Sequence, residues 1–213
     1  MDKLVPYYVG VSRSGCHWLR IVLEDYTENN SPLSNHLGCI DEPIQLMYKR
    51  VEAGEFKGTH DMDLDYKTDC VVYLYRNPID CIFSNLKYDG TDISDRKAVD
   101  YYLNIWIAHI SKWVYDENFT KEKVVLCYEN MMEDFVSEFS KLLRFLLIPI
   151  DESKIIKSRD KYTKSKIRDI IHDKKVINIE PDYDKQRLQF KELHGMYIYD
   201  KLPQSHKNIC KLN

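Results

Sequence analysis

Apolar and polar positions divide the chain into short alternating blocks. Leu4 to Val11 is an apolar run that reads as a buried strand, and after a glycine-containing turn Trp18, Leu19, Ile21, Val22 and Leu23 recur at helical spacing. Thr27 to Cys39 is rich in Asn, Ser, Pro and Gly and reads as a loop, while Ile44 to Val51 suits a short helix. Phe56 to His60 predicts a short strand that runs out into the acidic stretch Asp61 to Asp65. Cys70 to Tyr75 is the clearest strand, rich in β-branched and aromatic side chains between charged turns. It stops at Arg76-Asn77-Pro78, where Asn77 suits a helix cap and Pro78 a first helical residue, and Asp89-Gly90 ends that helix near Tyr88. A second helix, about Asp95 to Tyr115, sets Tyr102, Ile105, Trp106, His109, Ile110 and Trp113 on one face. Val124 to Tyr128 reads as a strand and Glu133 to Leu147 as a helix closed by Pro149. From 173 onward the pattern assigns no element.

Strands alternating with helices predict a parallel sheet covered on both faces, a three-layer α/β/α arrangement. In such sheets ligands sit beyond the carboxyl ends of the strands. The turn after the first strand, His60 after the second, Arg76 after the third and Tyr128-Glu129 after the fourth all fall there.

Composition narrows the class. At 213 residues the chain suits a single domain, residues 1–213, with a core over 1–150 and a basic helical segment over 151–213. A net charge of −3 gives no basic field for nucleic acid or an acidic membrane, so an anion site has to be local. The six cysteines form no C-x-x-C pair, which suggests neither a zinc site nor a disulfide framework and fits the cytoplasm. Met1-Asp2-Lys3 leads straight into a strand without a leader, and Leu142 to Ile150, interrupted by Arg144, is too short for a membrane span.

The turn Gly10 to Trp18 carries the first chemistry. Strand, glycine turn and helix make backbone N–H groups converge on an anion. Gly10-x4-Gly15 is half of a nucleotide-phosphate loop, but Cys16-His17 stands where Lys-Ser/Thr would hold terminal phosphates and magnesium. That argues against an ATP- or GTP-hydrolysing enzyme or a kinase, leaving a P-loop-like cradle with Arg13 inside it and no metal ligand. Asp61, Asp63 and Asp65 lack the Gly and Glu of a calcium loop and are expected to be solvated.

Ser12-Arg-Ser-Gly-Cys-His-Trp18 resembles the 5′-phosphosulfate loop of sulfotransferases that use 3′-phosphoadenosine 5′-phosphosulfate (PAPS) and release adenosine 3′,5′-bisphosphate (PAP). Arg76-Asn-Pro-Ile-Asp-Cys-Ile-Phe-Ser84 resembles their 3′-phosphate motif, R-N-P-x-D-x-x-x-S, and Thr59-His60 their K-T-H segment. Trp106-x2-His109-x3-Trp113 and Tyr128-Glu129-Asn130-Met131 are similar to two further family segments in the family's order. Ser12 replaces a proline, Cys16-His17 a pair of small hydroxyl residues and Gly58 a lysine, and no R-K-G-x-x-G segment follows.

The resemblance implies a metal-free transfer of a sulfuryl group to a hydroxyl or amine of a small-molecule, glycan or peptide acceptor. Backbone N–H groups of Ser14, Gly15, Cys16, His17 and Trp18 would hold the 5′-phosphate, and Arg13 would stabilise charge on the bridging oxygen. Arg76 and Ser84 would hold the 3′-phosphate, while Trp18 and Tyr128 would flank the adenine. His60 would be the general base, with His17 as a rival. Two alternatives stay open: a small-molecule or nucleotide kinase, and a nucleotide-binding protein without catalysis. A salt bridge to Asp80 is the competing role for Arg76, and Trp106 and Trp113 are expected in the core. The basic segment Lys154 to Arg168, with seven Lys or Arg residues, would either fold across the cleft or form a solvated helix face.

Overall fold

A computed structural model describes residues 7–28, 58–61, 64–65, 67–163, 165–167 and 181–210. The helix expected at Ile44–Val51 and all of the expected loop beyond residue 28 lie outside the described residues, as do Asp63 and the segment 168–172. Strands β1 (Tyr7–Gly10), β2 (Gly58–Thr59), β3 (Cys70–Tyr75) and β4 (Glu122–Cys127) form one parallel sheet in the order β2-β1-β3-β4. The register pairs Tyr8 with Gly58, Gly10 with Leu74, and Tyr75 with Cys127.

Side chains of β3 alternate between two cores, as the pleat requires. Val71, Tyr73 and Tyr75 face one cluster with Ile82, Phe83, Trp106 and Phe190. Val72 and Leu74 face the other with Leu19, Val22, Phe139 and Ile155. The first cluster belongs to α2 (Pro78–Asp89), α3 (Arg96–Ile110) and α7 (Tyr183–Lys201). The second belongs to α1 (Cys16–Tyr26), α4 (Tyr128–Glu133), α5 (Phe135–Phe145) and α6 (Glu152–Lys161). This is the expected three-layer P-loop-like α/β fold.

Because α1 and α2 leave neighbouring strands for opposite faces, a crevice opens between the ends of β1 and β3, the place where such sheets bind ligands. Local signals explain the edges of α2. Asn77 caps it by accepting from the Asp80 N–H, Pro78 opens it, and Gly90 closes it at φ 69°.

Two elements depart from the expected pattern. The helix expected over about Glu133–Leu147 is α5, and Asp134 is its cap: it leaves helical geometry (φ −143°) and its carboxylate accepts from the Ser137 N–H. Before it lies a short helix that the pattern did not show, α4, which opens with Tyr128, the residue expected to end the strand. The helix expected to run on to Tyr115 widens into a π-helical turn, Ser111–Tyr115. Trp106 and Trp113 are in the core, as expected.

The basic segment is tied away from the crevice. Lys154 pairs with Glu28, Lys161 and Ser158 bond Asp25, and Ile155 is buried against the C-terminal half of α1. Acidic residues at the end of α1 opposite the loop hold α6, so the described part of this segment forms a docked helix and does not cross the cleft. The tail left unassigned by the pattern supplies α7, which returns to α2 through Lys87 to Gln186 (2.8 Å) and Phe83 against Phe190, and α8 (Gln204–Lys207). No helix of the described residues is long and apolar enough to cross a membrane.

Candidate functional site

The loop from β1 to α1 is built on two close approaches. A Cβ at Gly10 would stand 2.4 Å from Cys16 Sγ and 3.3 Å from the Leu74 carbonyl oxygen. Gly15 sits at φ 90°, and a Cβ there would lie 2.7 Å from the Tyr128 ring. The chain can therefore curl tightly over the sheet end only with glycine at these places. Gly15 is the cap residue of α1 and no side chain caps this end, so the first-turn N–H groups of Cys16, His17 and Trp18 have no acceptor within the helix.

Two residues expected at the ligand turn inward. Ser14 is fully buried, its N–H donates to the Val11 carbonyl (3.2 Å), and its hydroxyl lies 3.2 Å from Cys16 Sγ. The Cys16 thiol packs in the α1-side core, and burial raises its pKa. What these residues offer an anion is the backbone of Gly15 and Cys16, with Ser14 as the latch that shapes it. His17 and Trp18 are half-buried on the first turn of α1; Trp18 packs on Phe135 (5.0 Å) and meets Tyr128 edge-on (6.2 Å).

Side-chain bonds join the loop to α2. Ser12 donates to Asn85 Oδ1 (2.8 Å), and Arg13 Nε donates to the Ser84 hydroxyl (3.0 Å) while its guanidinium lies over Tyr88 (5.0 Å). Ser12 thus has a role that the proline it replaces could not fill, and Asn85 is a loop-holding residue that the motifs did not point to.

Arg76 is at the end of β3 with its guanidinium over the Tyr128 ring (4.6 Å) and 3.1 Å from Asp80. The competing role expected for Arg76, a salt bridge to Asp80, is therefore present. Its Nε is buried, 4.0 Å from Glu129, and makes no hydrogen bond. Glu129 accepts from the Asn77 N–H (3.1 Å) and side-chain amide (2.8 Å), which locks β3 to α4. Arg187 on α7 reaches within 3.9 Å of Asp80, a second cation beside the same carboxylate.

His60 follows β2 with Nδ1 2.7 Å from the Gly10 carbonyl oxygen. A carbonyl oxygen only accepts, so Nδ1 carries the proton and Nε2 holds the lone pair. Burial and the neighbouring Arg13 guanidinium hold the His60 pKa below the ordinary histidine value, against the pull of the Gly10 bond. Burial also lowers the pKa of Arg13, and Arg76 adds to that effect. The Arg13 and Arg76 guanidiniums thus bring positive charge together beside the neutral His60 ring near the open end of α1, an arrangement that an anion would relieve.

Asp61 corrects an expectation: it is not a solvated charge. Its side chain is fully buried, accepting from Lys112 Nζ (2.5 Å) and Trp113 Nε1 (3.0 Å). Its carbonyl accepts from His109 Nε2 (3.1 Å). Among the described residues no group of His, Cys, Asp and Glu is placed to hold a metal.

His109 yields a stability prediction. Burial pushes its pKa down to about 4 against the opposing charge of Asp61. Between pH ~6.5 and ~4 the unfolded chain binds a proton that the folded one refuses, so stability falls with pH, by about 3 kcal/mol in all from this group. His60, His194 and His206 are shifted in the same direction. Urea unfolding from pH 7 to 4.5 should show a shallower pH slope for His109→Gln than for the wild type, and equal slopes would refute the assignment.

Fold and site together define an α/β protein with a glycine turn curled over the sheet end and a histidine beside it. The sulfotransferase domain family matches residues 66–191, more than half of the chain, and the chain belongs to the sulfotransferase family. The crystal structure of mouse sulfotransferase SULT7A1 complexed with PAP is similar in fold, with a TM-score of 0.58 and 19% identity over 97% of this chain and 86% of that one. Retinol dehydratase in a complex with retinol and PAP superposes with a TM-score of 0.49 at 12% identity, over 95% of this chain and 83% of that one. No curated protein matches the sequence. The matched family span includes Arg76, Ser84 and Tyr128 and begins after the loop and His60, which are brought to it by β1 and β2.

Proposed function

We propose that the protein transfers a sulfuryl group from PAPS to a hydroxyl or amine acceptor, without a metal, in the cytoplasm. The observation that carries this reading is the convergence of Arg13, His60 and Arg76 on the uncapped N-terminus of α1. A buried Arg76 Nε without a hydrogen bond and a loop that leaves no room for a Cβ at Gly10 or Gly15 are what a doubly phosphorylated nucleotide needs. The N–H groups of Cys16, His17 and Trp18 would hold the 5′-phosphate. Arg76, turned from Asp80, and the Ser84 hydroxyl would hold the 3′-phosphate, with Trp18 and Tyr128 at the adenine.

Bound there, the donor supplies a sulfuryl group whose S–O bond to phosphate breaks as one to the acceptor forms. His60 Nε2 takes the acceptor proton, and the resulting imidazolium keeps its Nδ1–H on the Gly10 carbonyl. Arg13 is already in the loop and meets the charge left on the phosphate oxygen by exchanging its bond to Ser84 for one to that oxygen. The acceptor is a small molecule, or a glycan or peptide that presents its nucleophile to His60.

Calorimetry in EDTA tests the reading. PAP should bind without magnesium and much more tightly than AMP or ATP. Equal affinity for AMP and PAP, or binding of ATP only with magnesium, would overturn it in favour of a kinase-like site.

A further inference from the structure

Asp61 follows His60 with a backbone that L-residues rarely adopt, φ 44°, and Leu64 repeats it at φ 58°. Asp61 and Leu64 are held from one place. Lys112 donates to Asp61 Oδ2 (2.5 Å) and to the Leu64 carbonyl (2.8 Å), Trp113 donates to Asp61 Oδ2 (3.0 Å), and His109 donates to the Asp61 carbonyl (3.1 Å). His109, Lys112 and Trp113 occupy positions i, i+3 and i+4 on one face. The π-helical turn Ser111–Tyr115 begins between the first and the other two and carries both donors to the Asp61 carboxylate. Such turns are rare and concentrate at functional sites. On the other side, the His60 ring bonds Gly10 on β1. The ring is therefore aimed by two anchors, the sheet end and the clamped residue that follows it.

We propose that Asp61 is a positioning residue for His60, and that Lys112 and Trp113 on the π-helical turn act through it to fix where the imidazole points. The inference rests on the reading of His60 as the base, but its structural half can be judged separately. The Asp61 carboxylate is buried and bound into the clamp by Lys112 and Trp113. Its effect on transfer passes through the geometry of the histidine, where a displacement of about 1 Å can cost on the order of 10²-fold in rate.

The test pairs steady-state kinetics with ¹⁵N NMR of the His60 imidazole in the full chain. The wild type should show the Nδ1–H form with its lone pair on Nε2. Asp61→Asn keeps the shape but loses the charge that Lys112 seeks; it should lower kcat by about 10²-fold, leave the KM for PAPS and the affinity for PAP unchanged, and shift the His60 signal toward a mixture of tautomers. Lys112→Met should do the same and Lys112→Arg should restore both readouts. Trp113→Phe removes one donor only and provides a milder variant should the others fail to fold. A wild-type His60 signal in folded Asp61→Asn overturns the proposal whatever happens to kcat. A shifted signal with unchanged kcat supports the positioning and locates the failure in the role given to His60.

Discussion

His60→Ala should lower turnover by about 10²–10⁴-fold while leaving the affinity for PAP unchanged. The histidine has the tautomer a base needs, since its Nδ1 proton is committed to Gly10. It is also kept neutral at pH 7 by burial and by Arg13, which disfavour the charged ring. The pH dependence follows with a definite sign. Protonation disables the base, and the lowered pKa means that activity persists as pH falls through ~6.5 and is lost only below it. An acid limb above that value would contradict the assignment. His17 lies within the loop on the first turn of α1. Its replacement by alanine keeps the backbone N–H offered to the 5′-phosphate and should leave turnover largely intact; a collapsed rate there, with His60→Ala fully active, would transfer the base to His17.

The second large effect belongs to Arg76. A charged hydrogen bond lost from a buried phosphate contact costs about 1.5–3 kcal/mol, roughly 10- to 150-fold in affinity. Arg76→Ala should therefore remove most of the preference for PAP over AMP and leave AMP binding nearly unchanged. The variant also leaves Asp80 and Glu129 beside the pocket without the cation that neutralises them, 3.1 and 4.0 Å from it in the wild type. Arg76→Lys should recover part of the affinity, since it restores charge but not the planar fork. Titrations that show the same PAP-to-AMP ratio in wild type and Arg76→Ala would move the 3′-phosphate elsewhere, with Arg187 as the nearest cation on α7.

The parts that could be read from the sequence are those specified locally. β3 and α2 were legible because one β-rich run ends in Asn77-Pro78 and the helix ends at Gly90, each a signal within a few residues. The short α4 was hidden because its first residue, Tyr128, continues the apolar run of β4, and its end is set by Asp134, which turns to cap α5 through Ser137. Helix α7 gave no stripe to read: Phe190 and Ile198 are buried, while Leu188, Leu193 and Met196 are exposed on the same helix. Asp61 looked solvated because the acidic run around it is polar; its partner Lys112 is 51 residues away and cannot be read from spacing. The motifs named Arg13 and Ser84 as site residues but could not show that they bond each other, or that Ser14 and Cys16 turn their side chains inward.

The bonds from Ser12 to Asn85 and from Arg13 to Ser84 tie the loop after β1 to α2, although the helices that follow β1 and β3 lie on opposite sides of the sheet. On the proposed reading, the positions for the 5′- and 3′-phosphates would therefore be not two adjustable basins but the two marks of a ruler. Such a site would read the separation between phosphates as much as their charge. A nucleotide with the same charge on a single polyphosphate arm would fill one mark and leave the other empty.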